Sequence, residues 1–430
     1  MQFKTSLFSP PLFLYRISNM MISRHDAVKL KCDLLINGVR LTDLRMDLHR
    51  DHGWDEARAK SFLPAELQLP HEVFCQIREN REANFRLRII ENTLVVQDRN
   101  NNIVCSCELI SLPPFAHEKA TDGTLFEKIV VYNGSCNLNF TWNYFCDYFR
   151  TKQECRFCNL TPAQDFYPEE NISNARKTAA QIGDVIAATK RHIRDPKSIM
   201  TRGTPPQKQG FGEVAQILEM LRERFPYAND RERTKVLMTI SPTKNIADVK
   251  LLYDSGLHSV AFNFEVFDRG YWKAIVPGKD SFIGRELWEE SLVEAVKHFG
   301  TGKVFSAIIA GLEPRKTLIE GVHWCCDRGI IPIVVPFSPE TGSQFEGFRP
   351  PTLHWMMDTH LEAADIIASK IPMIATEEYW DNDAPICAEC FTGGILYDVI
   401  RTNAGLTHYH GHNAENKSEA KKVIETVGAV

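Results

Sequence analysis

From residue 126 onward the chain alternates short, β-branched apolar runs with stretches of helical period. The runs are Lys128–Tyr132, Ser198–Thr201, Lys235–Ile240, Ser259–Phe264, Lys303–Ala310 and Ile330–Pro336. The helical patterns fall near 171–190, 211–225, 245–255, 286–299, 315–328 and 352–369, where apolar residues recur every three to four positions. Strand-length apolar runs separated by helix-length segments predict right-handed βαβ crossovers and a parallel sheet buried on both faces. Six such units predict an α/β fold of the partial (β/α)6 TIM-barrel kind, in which ligands collect at the carboxyl ends of the strands. Upstream, Asn92–Asp98 and Ile103–Ile110 flank the polar Arg99-Asn-Asn-Asn102, the pattern of a β-hairpin. The expected organisation is a small α+β N-terminal cap over 1–125, a barrel over 126–370 and a C-terminal extension over 371–430, with Pro113-Pro114 as linker.

Length supports this division, because 430 residues exceed what one ordinary domain needs. A hydrophobic content of 43%, 24% charged residues and a net charge of -5 describe a soluble globular chain without the basic field that nucleic acid would require. The apolar stretch Leu7–Leu14 is interrupted by proline and no small-residue cleavage site follows it, so neither a signal peptide nor a membrane span is expected. Twelve cysteines, several closely spaced, fit a reducing cytoplasm in which thiols serve as metal ligands or buried apolar groups.

The chemistry concentrates in Cys146-Asp-Tyr-Phe-Arg-Thr-Lys-Gln-Glu-Cys155-Arg-Phe-Cys158, which follows the Lys128–Tyr132 run and is expected at the exit of the first strand. Thiolate is the soft ligand selected by zinc and by iron–sulfur clusters, and both normally take four protein ligands. Three cysteines leave one position open. Cys136, in Asn133-Gly-Ser-Cys136, precedes the trio by ten residues. A second set lies near the C-terminus, where Cys387-Ala-Glu-Cys390 precedes His408-Tyr-His410-Gly-His412. Cys387, Cys390, His408 and His410 match a Cys2His2 zinc site, or part of an auxiliary iron–sulfur site, alongside the plain reading of buried thiols and a tail. Cys325 and Cys326, beside Trp324 on a helical pattern, read as core packing.

The Cys-x-aromatic-Cys ending at 155–158 resembles the radical S-adenosylmethionine superfamily, although the eight residues before Cys155 exceed the three usual there. Further strand ends are similar to that family's pattern. Met200-Thr-Arg202-Gly203-Thr204 resembles the Gly-Gly-Glu motif that holds the methionine amino group, with Arg202 and Thr204 as departures from it. Asn263-Phe-Glu265 is similar to the position that reaches the ribose or methionine moiety. Ser306-Ala-Ile308-Ile-Ala-Gly311-Leu-Glu313 resembles the stretch that packs against adenine, and Val334-Val335-Pro336 the edge that hydrogen-bonds it. Val276-Pro-Gly-Lys279 also resembles a subset of the superfamily.

This resemblance implies a [4Fe–4S] cluster on Cys146, Cys155 and Cys158, with Cys136 as the alternative to the preferred Cys146, and S-adenosylmethionine chelated at the open iron and contacted by Arg202, Gly203, Thr204, Asn263, Glu265, Ser306, Ile308, Gly311 and Val335. Reductive cleavage to a 5′-deoxyadenosyl radical would abstract hydrogen from an organic small molecule, in small-molecule or cofactor biosynthesis, with electrons from a flavodoxin- or ferredoxin-type donor. Group transfer from S-adenosylmethionine or metallocofactor assembly is the enzymatic alternative. A non-catalytic protein with structural zinc is the other. Partners such as nucleic acid and membrane are not expected.

Overall fold

The computed structural model describes residues 22–41, 66–91, 93–110, 113–134, 136–143, 145–162, 176–193, 196–204, 210–229, 232–388 and 390–406. They fall into two compact units, Met1–Ile110 and Ser111–Val430. In the first unit, helix α1 (Arg24–Asn37) is capped by Ser23, whose hydroxyl accepts from the Asp26 N–H. Strands β1 (Glu66–Leu69), β2 (Val73–Gln76) and β6 (Glu108–Leu109) form one antiparallel sheet. Strands β3 (Arg86–Ile90), β4 (Thr93–Gln97) and β5 (Ile103–Ser106) form another. The expected hairpin is the β4–β5 pair, and Asp98 closes its turn by accepting from the Asn100 and Asn102 N–H groups.

The second unit is built on seven strands ordered β13-β12-β11-β10-β9-β8-β7. They are β7 (Val131–Asn133), β8 (Asn137–Asn143), β9 (Lys197–Arg202), β10 (Val236–Thr239), β11 (Ser259–Ala261), β12 (Val304–Ala310) and β13 (Ile331–Pro336). Strands β8 to β13 are all parallel and neighbour one another in chain order. A sheet that never reverses its order keeps every right-handed crossover on one face. Such a sheet curls into a partial barrel with helices outside, whereas a doubly wound sheet would carry them on both faces. The α/β partial-barrel expectation is borne out.

Helices α2 (Asp147–Arg150), α3 (Ala179–Lys190), α4 (Gly212–Arg224), α5 (Asp248–Asp254), α6 (Arg269–Ile275), α7 (Pro277–Phe282), α8 (Arg285–Phe299), α9 (Arg315–Cys326), α10 (Leu353–Lys370) and α11 (Leu396–Asn403) complete the unit. The capping box of Thr178 and Gln181 fixes the start of α3, and Thr352 caps α10. All seven residues of β12 are buried, as a central parallel strand requires. The helix-facing core joins Phe140 and Trp142 of β8 to Met200, Met238, Val260 and Val304. Cys325 and Cys326 are buried in α9, as expected of core residues.

One strand assignment is corrected. The run Lys128–Tyr132 is not the first parallel strand. It divides between the end of a 3-10 turn at Phe126–Lys128 and β7, which pairs antiparallel with β8. The first parallel strand is β8, whose Asn-Leu-Asn-Phe-Thr-Trp-Asn sequence alternates strictly and so buries Leu138, Phe140 and Trp142 together. No described helix is long and apolar enough to cross a membrane.

Candidate functional site

The correction moves the two candidate first cysteines apart. Cys136 immediately precedes β8 and Cys146 follows it, so a seven-residue strand separates them, on the order of 20 Å at the usual rise. Cys146 lies at the carboxyl edge of the sheet, close enough to Cys155 and Cys158 to interact electrostatically with both. Cys136 lies at the opposite edge.

The loop carrying the trio is held from three sides. The Asn143 carboxamide accepts from the Phe145 N–H at 2.9 Å, and the Asp147 N–H donates to the Thr204 carbonyl at 2.7 Å. The Arg156 N–H donates to the Ile275 carbonyl at the end of α6, and the Gly278 N–H of α7 donates to the Gln153 carbonyl at 2.9 Å. Phe345, beyond β13, donates its N–H to the Arg156 carbonyl. Two glycines make these approaches feasible. A Cβ at Gly203 would sit 2.2 Å from the Phe145 carbonyl oxygen and 2.9 Å from the Cys146 nitrogen; one at Gly278 would meet the Gln153 carbonyl and the Tyr148 ring.

The donor set suits a thiophilic metal. Burial pushes the Cys155 thiol well up and the Cys158 thiol to about 12, with nearby Lys279 pulling both the other way. Such sulfurs become thiolates when a cation takes the proton's place. The Leu160 N–H already points at the Cys158 sulfur, 3.4 Å away, a contact of the kind that tunes cluster sulfurs.

Beside the trio stands a charged pair. Lys279 Nζ donates to Glu265 Oε1 at 2.9 Å and to the Asn263 carbonyl at 2.7 Å, with both charged side chains largely buried. Lys279 also sits over the Trp288 ring. Breaking such a pair from one side costs about 3–5 kcal/mol, so the two hold each other in place. Glu265 has φ +69°, a left-handed conformation uncommon outside glycine, and both its backbone groups are pinned to β12: its N–H to the Ala307 carbonyl and its carbonyl to the Ile309 N–H. Glu313 fixes the next turn, accepting from the Phe267 and Asp268 N–H groups. Glu265 and Cys158 are close enough to interact electrostatically. From sequence alone Lys279 carries no role, because a lysine fourteen residues from its carboxylate leaves no periodic signal.

The remaining named residues divide by what they touch. Asn263 accepts from the Ala307 N–H with its side chain. Thr204 shares a hydrogen bond with Ser241. Arg202 is buried with its guanidinium over the Trp142 ring, in the helix-facing core near Glu213; burial lowers it to about 10. Ser306 bridges backbone, donating to the Phe262 carbonyl and accepting from the Phe264 N–H. Ile308 is fully buried and Val335 half-buried. Gly311 has φ +113°, and the space a Cβ would take there is filled by Pro351 at 2.7 Å. Cys387 and Cys390 are buried well away in sequence, and His408 and His410 lie outside the described residues.

No protein-family model matches the chain. Over 265 residues it is 26% identical to the bacteriochlorophyllide c C-7(1)-hydroxylase of Chlorobaculum limnaeum, a match covering 58% of this chain and 64% of that enzyme's length. Among solved structures it is similar to methylornithine synthase, at 17% identity and TM-score 0.42 over 66% of this chain and 75% of that one. It is also similar to Streptococcus suis SuiB bound to S-adenosylmethionine, at 16% and 0.38 over 57% and 50%. A third is Escherichia coli coproporphyrinogen III oxidase, described as a radical SAM enzyme, at 13% and 0.30 over 40% of each chain. The resemblance to the radical S-adenosylmethionine superfamily is borne out. Cys146, Cys155 and Cys158 follow the first parallel strand, with eight residues between the first two.

Proposed function

We propose that this chain is a radical S-adenosylmethionine enzyme that abstracts hydrogen from a small organic molecule in cofactor or small-molecule biosynthesis. The observation that carries the reading is the convergence of Cys146, Cys155 and Cys158 with the Lys279–Glu265 pair at the carboxyl edge of a partial barrel. The similarity to a bacteriochlorophyllide c hydroxylase supports C–H chemistry on a small molecule.

Cys146, Cys155 and Cys158 would hold a [4Fe–4S] cluster. When bound, such a cluster with one open iron supplies the electron that cleaves S-adenosylmethionine to methionine and a 5′-deoxyadenosyl radical. The chain's own residues position and protect that chemistry. Gly203 lets the end of β9 press against Cys146, and Thr204 anchors the loop by its carbonyl. Glu265, oriented by Lys279 and by its pinned backbone, presents an anionic oxygen suited to an ammonium or hydroxyl group of the ligand. The electron donor in this reading is a flavodoxin or ferredoxin and the setting the cytoplasm. Arg202, Ser306 and Gly311 act through packing, since their side-chain positions are taken up by Trp142, by strand backbone and by Pro351.

The test is the nucleoside formed when the reconstituted protein is reduced anaerobically with S-adenosylmethionine. The reading expects 5′-deoxyadenosine, slowly without substrate and faster with it. Methylthioadenosine or S-adenosylhomocysteine as main product would transfer the protein to the group-transfer class, and intact S-adenosylmethionine with a colourless zinc protein would end the enzymatic reading.

A further inference from the structure

At the amino-terminal edge of the sheet, opposite the candidate cluster loop, three sulfurs meet. Cys136, in the β7–β8 turn, and Cys387 and Cys390, in the segment before α11, have sulfur atoms all within 4.8 Å of one another. The Cys136 and Cys390 sulfurs are 3.5 Å apart although 254 residues separate them in sequence. The structure joins none of the three in a disulfide. We infer that Cys136, Cys387 and Cys390 form a mononuclear zinc site that fastens the C-terminal segment to the base of the barrel.

The spacing selects the metal. Zinc bound to thiolates at about 2.3 Å in a tetrahedron holds its sulfurs about 3.8 Å apart, within the range seen here. A four-iron cubane attaches each thiolate to a different iron and spreads the sulfurs farther, so three sulfurs this close suit a single ion. All three residues are buried, at 3%, 2% and 0% exposure, which keeps competing water and oxidants away. Among the described residues, no other cysteine, histidine or carboxylate joins the group.

The surroundings are built for this approach. The Asn137 side chain grips the Cys387 backbone at both ends, its Oδ1 accepting from the Cys387 N–H at 3.0 Å and its Nδ2 donating to the Cys387 carbonyl at 3.3 Å. Outer contacts of this kind fix ligand orientation in metal sites. Gly134 has φ +54°, and a Cβ there would lie 2.4 Å from the Cys390 sulfur, so only glycine leaves room for it. The Cys-x2-Cys spacing of 387–390 places two ligands on one loop, as in structural zinc sites. Cys136 thus joins Cys387 and Cys390, while His408 and His410 lie outside the described residues.

The experiment uses the full chain after anaerobic iron reconstitution, equilibrated with Zn2+ or Co2+ alone and then dialysed. The expected result is one retained zinc per chain in addition to iron, and for the cobalt form the visible bands of a tetrahedral thiolate site. Cys387→Ser and Cys390→Ser should bring zinc to background while leaving the iron content unchanged, so loss of this site and failure of the cluster assignment are separately visible. If a variant fails to fold, wild-type alkylation mass spectrometry decides: Cys136, Cys387 and Cys390 should be protected with zinc and react once a chelator removes it. Absence of retained zinc and cobalt, equal alkylation with and without metal, or a Cys136–Cys390 disulfide in anaerobically prepared protein would each overturn the inference.

Discussion

Cys155→Ala and Cys158→Ala should each reduce the iron and sulfide of the anaerobically reconstituted chain to background, and Cys146→Ala should do the same, whereas Cys136→Ala should retain both. The reasoning is geometric. Cys146, Cys155 and Cys158 share one loop at the carboxyl edge, while β8 separates Cys136 from that edge. A cluster deprived of one of three thiolates has no described neighbour to replace it, because Cys136 is committed to Cys390 at the far end of the strand. Iron and sulfide analysis with the brown absorbance of the cluster reads the result. Retained iron in Cys146→Ala together with lost iron in Cys136→Ala would reverse the assignment of the first ligand.

Gly203→Val should remove most of the iron without touching a ligand. A Cβ at residue 203 meets backbone, the Phe145 carbonyl and the Cys146 nitrogen, and backbone cannot swing aside as a side chain can. Overpacking of this kind costs about 1–3 kcal/mol, and here the relief is displacement of Cys146 from its partners. The Gly203 N–H also donates to the Asn143 carbonyl, so the shift propagates into the end of β8. The measurement is iron content beside far-ultraviolet circular dichroism: folded protein with little iron is the expected pairing. Full iron content in the folded variant would mean that the end of β9 does not set the position of the loop.

The sequence carried most of the barrel because β10, β12 and β13 are buried along most of their length and therefore appear as apolar runs, with helices of clear period between them. It hid β8 for the opposite reason. Asn137, Asn139, Thr141 and Asn143 alternate with Leu138, Phe140 and Trp142, so the strand lacks the continuous apolar run expected of a parallel strand, and the nearby Lys128–Tyr132 run supplied a false substitute. Cys155 and Cys158 were legible from local spacing. The preference for Cys146 over Cys136 gains its geometric support from the position of β8, which the sequence did not reveal. Contacts between distant segments left no periodic trace, whether the Cys136–Cys390 approach or the Lys279–Glu265 pair, and the resemblance motif at 202–204 did not reveal that Arg202 stacks on Trp142 while Gly203 makes room for Cys146.

The central claim is that Cys146, Cys155 and Cys158 hold a cluster whose open iron receives S-adenosylmethionine. Low-temperature electron paramagnetic resonance of the dithionite-reduced, reconstituted protein, recorded with and without S-adenosylmethionine, addresses it most directly. The account predicts a reduced [4Fe–4S] signal whose shape and g values change when S-adenosylmethionine is added, because the amino and carboxylate groups enter the coordination of one iron. A cluster signal that is identical with and without S-adenosylmethionine, or no cluster signal in fully reconstituted wild-type protein, would contradict it.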